Sequence, residues 1–139
     1  MPHLFPSSEW LQALKDKLNS DEKYAKVAHK WEGDIMFQIE PDGPLTETVY
    51  YYTDLWHGTC RAAFSIPAGE FPNYQPAYIL SAPYRNFSRL LQGDLDPMQA
   101  MITRKLKVQG SMSYMMRNVP VVLDFVRCAQ EIDTRFLDS

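Results

Sequence analysis

Reactive side chains are sparse in this chain of 139 residues. Two cysteines, Cys60 and Cys128, show no CxxC spacing, and three histidines, His3, His29 and His57, include no pair at i,i+4. Metal sites need such ligands at short, defined intervals, so no metal centre is expected. There is no G-x-S-x-G elbow, no phosphate-cradling Gly-rich loop and no dinucleotide fingerprint, which removes the commonest hydrolase and nucleotide-cofactor classes. Neither sign of charge dominates. A net charge of -3 and a pI near 5.5 give no basic footprint for nucleic acid. No apolar run approaches the ~18 residues that span a bilayer, and MPHLFPSSEW lacks the basic start and apolar centre of a secretory signal. A cytoplasmic protein is expected, with Cys60 and Cys128 as free, buried thiols rather than a disulfide.

What the chain does contain is apolar and aromatic. The hydrophobic fraction, 45%, and charged fraction, 22%, suit a globular protein, and 13% of residues are aromatic. The length predicts one domain over residues 1–139 with a sizeable core. Methionine is concentrated: Met98, Met101, Met112, Met115 and Met116, five of the seven, fall between Leu91 and Met116. Ordinary cores use methionine sparingly, whereas an unbranched, polarizable side chain repacks around apolar ligands of varied shape.

Periodicity sets the element order. Ser7 or Ser8 caps a first helix with Trp10, Leu11, Leu14 and Leu18 on one face; a second short helix carries Tyr24, Val27, Ala28 and Trp31. Asp34 to Glu40 alternates, with Ile35, Phe37 and Ile39 on one face. After the Pro41-Asp42-Gly43-Pro44 turn, Thr46 to His57 is β-branched and aromatic on both faces, the pattern of a strand covered on both sides or lining a cavity. Cys60 to Ile66 follows, with Cys60, Ala62, Phe64 and Ile66 expected in phase. These three strands make an antiparallel meander.

Pro67 to Pro76 reads as a rigid surface loop, with Phe71 and Tyr74 suited to a flap over a pocket mouth. A short strand from Ala77 to Ala82, a helix opened by Pro83 and a helix opened by Asp96-Pro97 come next. Lys105 to Gln109 alternates as a fifth strand with Leu106 and Val108 inward. The last third is helical, with Asn118 as cap and an apolar stripe running through Val121, Val122, Phe125, Val126, Cys128, Ala129, Ile132 and Phe136. The architecture expected is α+β, a mostly antiparallel five-stranded sheet covered by helices.

The run Met101-Ile102-Thr103-Arg104-Lys105-Leu106-Lys107-Val108-Gln109-Gly110-Ser111-Met112, preceded by Gly93-Asp94-Leu95-Asp96-Pro97-Met98, resembles the signature of the sterol carrier protein type-2-like lipid-binding domains. Trp31-Glu32-Gly33-Asp34 and Gly58-x-Cys60 extend the resemblance, which covers roughly residues 8 to 136. Two positions depart from it: Arg104 stands where a glycine is usual, and Ser111 where an aspartate is usual. Peroxisomal members of that family end in a small-Lys-Leu signal, and this chain ends Leu137-Asp138-Ser139.

The resemblance implies a non-enzymatic carrier of fatty acid, acyl-CoA, phospholipid or sterol, without cofactor. The cavity is expected between the strand face of Ile35, Phe37 and Ile39 and helices bearing Phe87, Leu91, Met98, Met101, Met112, Met115, Met116 and Phe125. The partner is a lipid or other apolar small molecule, with at most transient membrane contact through Arg104, Lys105 and Lys107. Two other readings make different demands. A small enzyme would aim His57 or Asp54 into the pocket, although on one strand these two point to opposite faces. An interaction module would show a filled interior and an exposed Met-rich face.

Overall fold

The computed structural model describes residues 2–137. Strands β1 (His3–Phe5), β2 (Ile35–Glu40), β3 (Val49–Trp56), β4 (Thr59–Ile66), β5 (Tyr78–Pro83), β6 (Lys107–Gln109) and β7 (Thr134–Phe136) are interleaved with helices. The helices are α1 (Ser8–Ser20), α2 (Glu22–Val27), α3 (Tyr84–Gln92), α4 (Pro97–Ile102), α5 (Met112–Arg117) and α6 (Val119–Gln130). The main sheet has the order β4-β3-β2-β5-β6. β2, β3 and β4 form the antiparallel meander, β5 returns parallel to β2, and β6 closes the edge antiparallel to β5. The fold is α+β, with β2 at its centre.

Local chemistry sets the helix starts. Ser7 Oγ accepts from the Trp10 N–H, Asp21 from that of Tyr24, Asp96 from that of Gln99 and Ser111 from that of Tyr114, each satisfying a first-turn donor. Asn118 occupies the N-cap position of α6 as expected but makes no side-chain capping bond there; its Nδ2 donates back to the Tyr114 carbonyl at 2.7 Å, closing α5. α6 itself ends at Gln130, so Phe136 belongs to β7, where it packs edge-on against Phe5 with ring centroids 6.3 Å apart. β1 and β7 pair in parallel as a separate two-stranded ribbon that the sequence pattern does not announce.

The two faces of the sheet are covered by different material. Toward the helices point Ile35, Phe37 and Ile39 with their cross-strand partners Tyr51, Thr53, Leu80 and Ala82. On the far face Met36, Tyr50 and Ile66 form a second small core. Pro67 to Pro76 is not a flap over the cavity: it holds a 3-10 helix, Ala68–Asn73, that lays Phe71 on Tyr50 (4.6 Å, stacked) and Tyr74 near Tyr52 (5.7 Å), on this far face. The phase expected for β4 is also broken. Thr53 pairs with Ala63 but Leu55 with Cys60, so β4 carries one extra residue. Cys60 therefore turns to the helix-side core while Ile66 joins the far one and Phe64 is left 39% exposed.

Two backbone positions explain the turn residues around β6. Gly110 has φ of 129°, and a Cβ there would sit 2.5 Å from the Ala77 carbonyl oxygen. Arg104 has φ of 63°, the left-handed region, which is why glycine is usual at that place in the resembled signature. The strand itself is shorter than the alternation predicts. Leu106 N–H still bonds the Ala100 carbonyl at the exit of α4, so pairing begins only at Lys107.

Candidate functional site: an apolar cavity under the helices

Between the sheet and the helix layer lies a cavity of about 100 Å3. Every lining side chain is apolar or aromatic. Of the residues singled out from the sequence, Ile35, Phe37, Ile39, Phe87, Leu91, Met101, Met115 and Phe125 line it. Phe37 and Phe125 bridge it from sheet to α6, and Phe37 also meets Phe87 edge-on at 6.4 Å.

Met98, Met112 and Met116 do not line the cavity. Met98 packs partly buried against the core margin, while Met112 and Met116 are 40% and 45% exposed. The reason is geometric: α5 is only six residues long, and of its three methionines only Met115, 1% exposed, turns inward. Residues the pattern assigned to lids or to plain core complete the walls, among them Tyr24, Trp31, Tyr51, Leu90, Leu106, Val121 and Val126. The aromatic pattern of β3 was the available signal for Tyr51, and the apolar spacing from Tyr24 to Trp31 for those two, although α2 ends at Val27 and Trp31 follows beyond a turn.

The cavity contains no acid or base suited to proton transfer near neutrality. Its ionisable residues are Tyr24 and Tyr51, whose phenols burial pushes well above the ordinary range. Tyr51 donates to the Ser7 carbonyl at 2.7 Å. Asp54 and His57 lie elsewhere. Arg61 donates twice to Asp54, at 3.0 Å each, and its guanidinium covers the Trp56 ring at 4.9 Å. His57 Nε2 contacts Glu32 at 2.7 Å and stacks on Trp56.

Charge is used instead to fasten the helix layer. Arg127 on α6 reaches Asp124 at 2.8 Å, Asp21 at 2.7 Å and Glu131 at 2.9 Å, and Lys17 on α1 joins Asp21 and Glu131. Asp21, Asp124 and Cys128 offer ligand atoms within 4.8 Å of one another. The guanidinium already serves both carboxylates, and burial holds the Cys128 thiol up at about 11, so the cluster is an ion-pair clamp. Cys60 is likewise pushed up by burial, to about 11, and both cysteines are free and buried.

Comparison with known proteins agrees with this architecture. No curated relative matches the chain. Among solved structures, a crystal structure of sterol carrier protein 2 shares 27% identity at a TM-score of 0.82, covering 91% of this chain and 97% of that one. A conserved hypothetical protein of Thermus thermophilus, described as possibly a sterol carrier protein, shares 26% identity at a TM-score of 0.81, covering 93% and 90%. Sterol carrier protein-2 of Aedes aegypti, in complex with the C16 fatty acid palmitate, is 15% identical at a TM-score of 0.52, covering 88% and 98%, a likeness of fold alone. The model of the SCP-2 sterol transfer family matches residues 11–122, the span that carries the five-stranded sheet, α5 and most of the cavity lining, and the chain belongs to that family.

Proposed function

We propose that the protein is a non-enzymatic carrier that binds and transfers lipids in the apolar space between sheet and helices. The ligand class is fatty acid, acyl-CoA, phospholipid or sterol. The observation that carries this reading is the lining: twenty-three side chains, all apolar or aromatic, with no group poised to react. Burial of methylenes supplies roughly 0.8 kcal/mol each, so a chain of ~14 gains ~11 kcal/mol before association and ordering costs. Family membership and the palmitate held by the Aedes aegypti protein support the same reading.

At about 100 Å3 the cavity is smaller than the ~150 Å3 that suits benzene, so a lipid tail requires the helix layer to part. Methionine at Met101 and Met115 suits walls that repack. Arg104, Lys105 and Lys107 are exposed beside Ile102, itself 66% exposed, and this pairing of cations with an apolar tip suits transient contact with an anionic bilayer.

Native mass spectrometry of freshly purified protein, set against the denatured mass of the same sample, tests the proposal. Excess mass that vanishes on denaturation and equals a lipid is the expected result. A bare mass that survives incubation with a mixed lipid extract rejects it.

A further inference from the structure

A second hollow, of about 370 Å3, opens beside the cavity and is bordered by Glu32, Ala77, Tyr78, Ser111, Tyr114 and Arg117. Its lining is mixed, with Glu32, Ser111, Tyr114 and Arg117 bringing polar groups to it, where the cavity has none but apolar and aromatic walls. One layer of rings separates the two: Trp31 lines the cavity, and its ring lies 5.1 Å from that of Tyr114 and 5.6 Å from that of Tyr78. α5 contributes to both sides, since Met115 faces the cavity while Tyr114 and Arg117 border the hollow.

Hydrogen-bond donors around the hollow are left unspent. Tyr114 Oη accepts from the Glu32 N–H at 3.0 Å, and Ser111 Oγ accepts from the Tyr114 N–H at 3.1 Å, so each hydroxyl retains its own proton for a further acceptor. Arg117 is exposed and makes no ion pair or hydrogen bond with the described residues. The one carboxylate on the rim, that of Glu32, is engaged by His57 at 2.7 Å. A guanidinium fork with two free hydroxyls is a donor set for a carboxylate or phosphate.

We infer that this hollow is the headgroup subsite of the lipid site, receiving an anionic head on a single acyl chain whose tail enters the cavity past Trp31 and Tyr114. The inference rests on the carrier reading and narrows it to anionic amphiphiles, because a neutral sterol hydroxyl gains no ion pair with Arg117.

Calorimetric titration with palmitate, hexadecyl phosphate and hexadecanol, below their aggregation limits, separates the possibilities. The native chain should bind at least one of the two anions about tenfold or more tighter than the alcohol. Arg117→Ala should weaken that anion about tenfold and leave the alcohol unchanged, which also shows the variant folded; Arg117→Lys should keep most of the preference. Loss confined to one anion names the headgroup. Anion affinities that Arg117→Ala leaves alone, or an equal loss for anion and alcohol, overturn the subsite while the carrier reading stands. A native chain that binds none of the three overturns both.

Discussion

Phe37 on β2 and Phe125 on α6 stack with ring centroids 5.8 Å apart and an interplanar angle of 13°. One ring is fixed in the central strand and the other rides on a helix, so this contact spans the cavity and holds it nearly shut.

Phe125→Ala removes the helix half of that contact. For a ring that is only partly buried the cost is about 2–3 kcal/mol, below the ~3–5 kcal/mol of a fully buried phenylalanine. Denaturant titration with and without palmitate measures it. The expected outcome is a less stable free protein that palmitate restores more fully than it stabilises the native chain.

Met101 and Met116 separate cavity from surface. Met101→Trp fills the space from one wall and should abolish lipid uptake at a stability cost of about 1 kcal/mol, since free volume is available to it. Met116→Trp, at a side chain 45% exposed, should alter neither stability nor uptake by more than about 0.5 kcal/mol. Equal effects of the two on lipid binding by native mass spectrometry would place the ligand somewhere other than this cavity.

Arg104 holds a left-handed backbone with φ of 63°. Arg104→Gly should therefore stabilise the protein, by about 1 kcal/mol after the added chain entropy of glycine is set against the ~1–2 kcal/mol of steric relief. A raised denaturation midpoint with unchanged slope is the expected readout.

The Arg127 clamp gives acid sensitivity of a defined sign. Hydrogen bonds from Arg127 hold the Asp21 carboxyl well below its ordinary 3.8, and Lys17, then Arg127, hold Glu131 below 4.5. The unfolded chain thus takes up protons that the folded chain refuses. Their contribution is complete above the ordinary values and is lost as pH falls below about 4.5 through the depressed folded ones. Arg127→Met removes the largest cause of the Asp21 depression while Lys17 still holds Glu131 down, so its stability should fall less steeply than the native chain's between about pH 5 and pH 3, as measured by urea titration at each pH.

Much of the architecture was legible because it rests on local signals. Alternation at Ile35, Phe37 and Ile39, the Pro41–Pro44 turn and the two-sided aromatic strand gave the meander, and Ser7 and Asp96 gave helix starts. Where it failed, long-range geometry decided. The extra residue in β4 is a matter of pairing register, and the three-residue partners β1 and β7 lie at opposite ends of the sequence. In the site, Met112, Met115 and Met116 share helical spacing, yet only Met115 turns inward, because a six-residue helix lies between a glycine turn and an asparagine stop. Tyr78 lies on β5 while Tyr114 and Arg117 share α5, and nothing in the order of residues brings the strand residue beside the helix pair.

The far face of the sheet carries its own small core, with Phe71 stacked on Tyr50 over Met36 and Ile66. A sheet braced from behind cannot bow away from an incoming molecule. Compliance is therefore one-sided: room for a guest must come from displacement of the short helices, and backbone amides in α4 and α5 should exchange with solvent deuterium well before those of β2 and β3.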